Sequence, residues 1–96
     1  MNETEFLELW DACVKSAKPI LDEYVQPTSM TTTIPEMGLD SLDTALTMAL
    51  VAEVYGLTNE DSAQMPRGSL KTMYDWLQEH KTRDYDSVAE AIKVVA

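Results

Sequence analysis

Residues 38–43 read Gly38-Leu39-Asp40-Ser41-Leu42-Asp43, and an apolar helical pattern begins directly after them. A serine set between acids at the first turn of a helix has a hydroxyl that packing does not need. It can serve as a helix cap or as a point of covalent modification. As a cap it accepts a bond from an orphan backbone N–H, worth about 1 kcal/mol. Asp40 can cap equally well and leave the serine hydroxyl to solvent. Nucleophilic catalysis is the rival chemistry. The single histidine, His80, stands in Gln78-Glu79-His80-Lys81 at a helix end, where a basic residue suits the C-terminal dipole, and no nucleophile elbow surrounds Ser41. A Ser-His-acid site would need the fold to bring His80 to Ser41. Metal chemistry is no better placed. Asp40 and Asp43 are two hard ligands without the spacing of an EF-hand loop, and Cys13 with His80 makes no zinc pattern. Catalysis by this chain is therefore not expected, and on these residues alone Ser41 reads as a helix cap or as a hydroxyl open to modification.

The run Asp40-Ser41-Leu42-Asp43-Thr44 resembles the attachment site of acyl carrier proteins, in the form typical of free-standing bacterial fatty-acid and polyketide carriers. Aminoacyl and peptidyl carriers, the nearest variant, often show a Gly-Gly-His/Asp-Ser-Leu form instead. The resemblance implies that Ser41 carries a 4'-phosphopantetheine arm derived from coenzyme A. The arm would hold acyl intermediates as thioesters for the separate enzymes of a fatty-acid-like, polyketide or specialised pathway. Its implied partners are a phosphopantetheinyl transferase and acyl-transferring, ketosynthase or adenylating enzymes. The implied recognition residues are Asp40, which helps dock the transferase, then Leu42 and Asp43, and the second helix itself adds Met48 and Glu53 as further candidates for partner recognition. Carriers of the fatty-acid pathway usually have several glutamates on that helix. Here only Glu53 follows Asp43, with Leu46, Thr47, Met48, Val51 and Ala52 between, which points to more apolar docking in a dedicated pathway. The rival from another class is an unmodified helical adaptor that keeps the carrier fold and binds partners through the second helix.

The elements that must position Ser41 can be read from spacing. Asn2 with Glu5 starts a first helix as a capping box, and Phe6, Leu7, Trp10, Val14, Ala17, Ile20, Leu21 and Tyr24 form its apolar stripe. Pro19 either kinks that helix or ends it near Ser16 and opens a new one; the stripe stays in phase across it, which favours the kink. Residues 26–37, with two prolines and three successive threonines, form a loop that Ile34 and Met37 pin to the core and Gly38 closes. A second helix from about Ser41 to Tyr55 ends at Gly56, with Leu42, Ala45, Leu46, Ala49, Leu50, Val54 and Tyr55 at helical spacing and Met48 and Val51 widening the arc. Thr58 caps a single short turn, and Met65-Pro66-Arg67-Gly68 breaks it. Ser69 caps a helix from Leu70 to about His80, with Leu70, Met73, Tyr74 and Leu77 inside.

That order is the plan of an all-α four-helix carrier bundle, three longer helices and one short, over residues 1–80. Residues 81–96 are an extension, where Ser87-x-x-Glu90 is a further capping box and Val88, Ala91, Ile92 and Val95 make a stripe. The stripe calls for cover, from the bundle or from a partner, because so short a helix barely holds alone in water. Trp10 and Trp76 read as core and core-edge aromatics, Cys13 as a small core or boundary residue. Met48, Met65 and Met73 read as core or as the lining of an acyl cavity.

Charge bounds the partners. Seventeen acids against seven bases give a net charge of −10, which argues against nucleic acid and anionic membrane. No Lys or Arg lies between Lys18 and Arg67, so Ser41 sits in a stretch of one sign that would steer basic partner surfaces towards it. No apolar run approaches the roughly 18 residues of a membrane span, the N-terminus is acidic where a secretory signal is basic, and one cysteine cannot form an internal disulfide. A cytoplasmic, monomeric domain is expected.

Overall fold

Capping chemistry sets where the helices begin. Asn2 and Glu5 bond each other's backbone N–H groups, Glu5 N to Asn2 Oδ1 at 2.8 Å and Asn2 N to Glu5 Oε1 at 3.0 Å, and α1 (Glu3–Ala17) follows. Asp40 opens α2 (Ser41–Val54). Thr58 and Asp61 form a reciprocal box at α3 (Asn59–Gln64), and the same bonds hold the Asp61 carboxyl below its usual range. Ser69 caps α4 (Leu70–His80), and Ser87 caps α5 (Val88–Lys93), accepting from Glu90 N at 3.3 Å. These are the starts that the side chains dictate, since each satisfies donors that no helix can satisfy for itself. The computed structural model describes residues 1–17 and 23–95, and among these the architecture is all-α. The choice between a kink and a break at Pro19 lies outside the described residues.

The end of α2 is equally local. Gly56 takes the left-handed conformation (φ +76°), its N–H bonds the Glu53 carbonyl at 3.0 Å, and the Leu57 N–H reaches back to Ala52 at 2.8 Å. This paired closure turns the chain sharply out of the helix. The segment after α4 then straps the same turn: Thr82 N donates to the Tyr55 carbonyl at 2.9 Å, and Tyr85 OH donates to the Val54 carbonyl at 2.7 Å.

The core gathers Phe6, Leu9, Trp10, Cys13 and Val14 of α1 against Val51, Ala52 and Val54 of α2 and Leu70, Met73 and Leu77 of α4. Burying a large apolar side chain contributes about 1.5–3 kcal/mol, so this cluster outweighs any single cap. The stripe of α1 differs from the expected one in its membership. Leu9 and Cys13 are fully buried, whereas Leu7 is only half-buried, because positions 6, 9, 10, 13 and 14 are the ones that α2, α4 and α5 cover. Asp11, on the same side, is held by Lys15 at 2.8 Å and by the Tyr24 hydroxyl at 3.0 Å.

The extension is covered by the bundle. Helix α5 packs on α1, Ala91 and Val95 are buried, and the Ser16 hydroxyl donates to the Val95 carbonyl. The loop before α2 is tied down too, and is less irregular than its composition implies. Pro35–Met37 make one turn of 3-10 helix with Met37 fully buried. Leu70 N and Lys71 N, two orphan donors of α4, bond the Thr32 carbonyl at 3.0 Å and the Met30 carbonyl at 2.8 Å. Ile34 N donates to the Gly68 carbonyl at 3.2 Å, and Thr33 pairs with Ser69 in an isolated bridge. The loop before α2 and the loop before α4 are thus held side by side.

Candidate functional site

The N-terminus of α2 emerges from this pair of loops. Gly38 turns the chain with φ +74°, where a Cβ would come within 2.5 Å of the Glu23 carbonyl oxygen, so no other residue fits without displacement. Asp40 follows in extended conformation and its side chain accepts the Asp43 N–H at 2.7 Å. Its carbonyl takes both the Thr44 N–H, at 3.0 Å, and the Thr44 hydroxyl, at 2.7 Å. Of the two residues able to cap α2, Asp40 therefore does so. Ser41 is the first helical residue and is exposed.

Ser41 lines a cleft of about 510 Å³ with Asp40 and Thr44 of the α2 start, Ile34, Pro35 and Leu39 of the preceding loop, and Arg67 and Gly68 from before α4. That volume lies in the range of about 300–1,000 Å³ found for small-molecule sites. Its walls are mainly apolar, and Asp40 and Arg67 are its charged members. His80 does not line it. His80 stacks on Trp76 with ring centroids 4.2 Å apart, and its Nδ1 lies 2.8 Å from the Trp76 carbonyl. Cys13 is no nucleophile either: burial pushes its thiol up to about 12. Among the described residues no group of three or more His, Cys, Asp or Glu side chains could hold a metal, and no helix is long and apolar enough to cross a membrane.

The expected recognition residues divide between surface and interior. Leu42 is 67% exposed and Glu53 is exposed, so both are available to a partner. Asp43 is 8% exposed and Met48 only 2%, so Met48 belongs to the core and cannot be gripped from outside. Val51 is likewise fully buried. The whole helix is rotated from the face that hydropathy predicts. Thr44 and Thr47 point inward with Met48 and Val51, while Leu42, Ala45 and Leu46 (44% exposed) point outward. The reason is that the threonine hydroxyls are satisfied without solvent, Thr44 on the Asp40 carbonyl and Thr47 on the Asp43 carbonyl at 2.8 Å, leaving their methyls to pack. Positions 42, 46, 49 and 53 consequently run down one outer face for roughly 16 Å, from just beside Ser41 to Glu53. Of the apolar docking stretch expected at Leu46, Thr47, Met48, Val51 and Ala52, only Leu46 is on the surface. The signal for it was the pair Thr44 and Thr47, spaced to bond the carbonyls four residues back.

Comparison of the chain with family models, with curated proteins and with solved structures finds no match.

Proposed function

We propose that this chain is a carrier protein of the acyl carrier type, in which Ser41 bears a phosphopantetheine arm. The observation that carries this reading is the division of labour at the start of α2: Asp40 takes the cap, and Ser41 is exposed and lines a cleft. The helix order, with a long tied-down loop before α2 and one short helix before α4, supports a carrier-type bundle.

In loading, the Ser41 hydroxyl oxygen attacks the phosphorus nearest pantetheine in coenzyme A. The new O–P bond forms as the bond to the second phosphate breaks, so adenosine 3',5'-bisphosphate leaves. The hydroxyl proton passes to a base of the transferase, which is why no base beside Ser41 is required. The bound group supplies a terminal thiol on which acyl cargo rides as a thioester. Asp40 adds a negative charge beside the acceptor serine, Leu42 and Leu46 offer an apolar grip, and Glu53 marks the lower edge of that face. The natural setting for such a domain is the cytoplasm, among separate acyl-transferring, ketosynthase or adenylating enzymes.

The exposed apolar face also favours a second reading, an adaptor that binds partners through α2 without modification. Incubation with coenzyme A and a broad-specificity phosphopantetheinyl transferase separates the two. A carrier gains about 340 Da, the mass of one arm. Ser41→Ala removes the gain. Absence of modification by any transferase would favour the adaptor.

A further inference from the structure

We infer that Arg67 and the cleft behind Ser41 form a seat for the arm's proximal half, Arg67 holding the phosphodiester and the apolar wall of Ile34, Pro35 and Leu39 receiving the branched alkyl segment next to it. This rests on the reading of Ser41 as the attachment site. Three observations support it. Ser41 and Arg67 line the same cleft, so a group tethered to the serine has Arg67 within the space it can enter. Arg67 is the one base between Lys18 and Lys71, it is exposed, and it takes no part in the ion pairs among the described residues, which join Lys15 to Asp11, Lys71 to Glu3 and Asp75, and Lys81 to Asp84. Its place is fixed by backbone rather than by its own side chain, since Ile34 N bonds the Gly68 carbonyl at 3.2 Å and Ser69 pairs with Thr33.

Charge decides why a cation belongs there. A phosphodiester adds a negative charge beside Asp40 on a chain already at −10. Arginine offsets it best, because its planar fork can give two parallel hydrogen bonds to phosphate oxygens. The methyl-bearing segment that follows the phosphate finds apolar walls, so both halves of the seat suit the group next to them.

The test compares amide NMR signals of the full chain before and after loading, with loading verified by mass. Loading should shift the Ile34, Leu39 and Gly68 signals as well as those adjoining Ser41. In Arg67→Gln those distant shifts should fall by more than half and the phosphorus resonance of the arm should move, while Arg67→Lys should keep most of the effect. In the unaltered protein, high salt should return the Gly68 signal towards its unloaded position, a readout independent of any variant's folding. Shifts confined to residues beside Ser41, or shifts unchanged in Arg67→Gln and by salt, would overturn the seat while leaving the carrier reading intact. Failure to load at all would remove both.

Discussion

Asp40 and Ser41 are neighbours with nearly interchangeable capping chemistry, and which of them caps α2 determines what the other can do. With the Asp43 N–H bonded to Asp40 at 2.7 Å, the serine hydroxyl contributes nothing needed to hold the helix. Charge and cap can be separated at position 40, because asparagine caps as well as aspartate but carries no charge. Asp40→Asn should keep the cap and load more slowly. Asp40→Ala should also lose the cap, about 1 kcal/mol, which in a domain of this size lowers the melting temperature by about 4–8 °C. Thermal melts with a timed loading assay check both. Loading of Asp40→Asn at the full rate would remove the charge from the account of transferase docking.

At the scale of elements, local chemistry was legible and long-range placement was not. The caps at Asn2, Thr58, Ser69 and Ser87 and the turn at Gly56 follow from neighbours three or four residues apart, and spacing alone finds them. The rotation of α2 does not follow from hydropathy, which scores Thr44 and Thr47 as polar and cannot see that their hydroxyls bond back into the helix. Nor does any pattern place Arg67 in the same cleft as Ser41, since that depends on hydrogen bonds between two loops far apart in sequence. The rotated face gives a paired prediction. Leu46→Glu, at an exposed site, should change stability by no more than about 0.5 kcal/mol yet weaken partner binding. Met48→Glu buries an unpaired charge and should cost about 3 kcal/mol or more, so that any lost binding comes from lost structure. Chemical denaturation and binding to the transferase, measured on the same samples, tell them apart. Equal stability loss in both would mean that Leu46 is core. For α5, truncation after Arg83 exposes the α1 surface that Ala91 and Val95 cover. It should lower the melting temperature and leave Ser41 modifiable. An unchanged melting temperature with one partner's binding lost would make the tail a docking element instead.

Seen whole, the molecule presents an acidic field with an apolar strip at its centre. On the proposed reading, Glu53 and the acids around α2 would attract a basic partner from a distance, and the exposed Leu42 and Leu46 would meet it on contact. Exposed charges are screened beyond about 8 Å at physiological ionic strength, so transferase binding should weaken with salt mainly through slower association. Glu53→Lys should do the same, with dissociation little changed, as read by stopped-flow kinetics. An affinity indifferent to both would leave the apolar strip as the sole determinant. All of this presupposes that Ser41 is modified, and one measurement reaches that claim directly. The chain is co-expressed with a broad-specificity phosphopantetheinyl transferase, cleaved, and its fragments are weighed. The carrier reading predicts about 340 Da on the fragment that contains Ser41 and on no other. An unmodified Ser41 fragment, or the same mass on a fragment bearing a different serine, would contradict it.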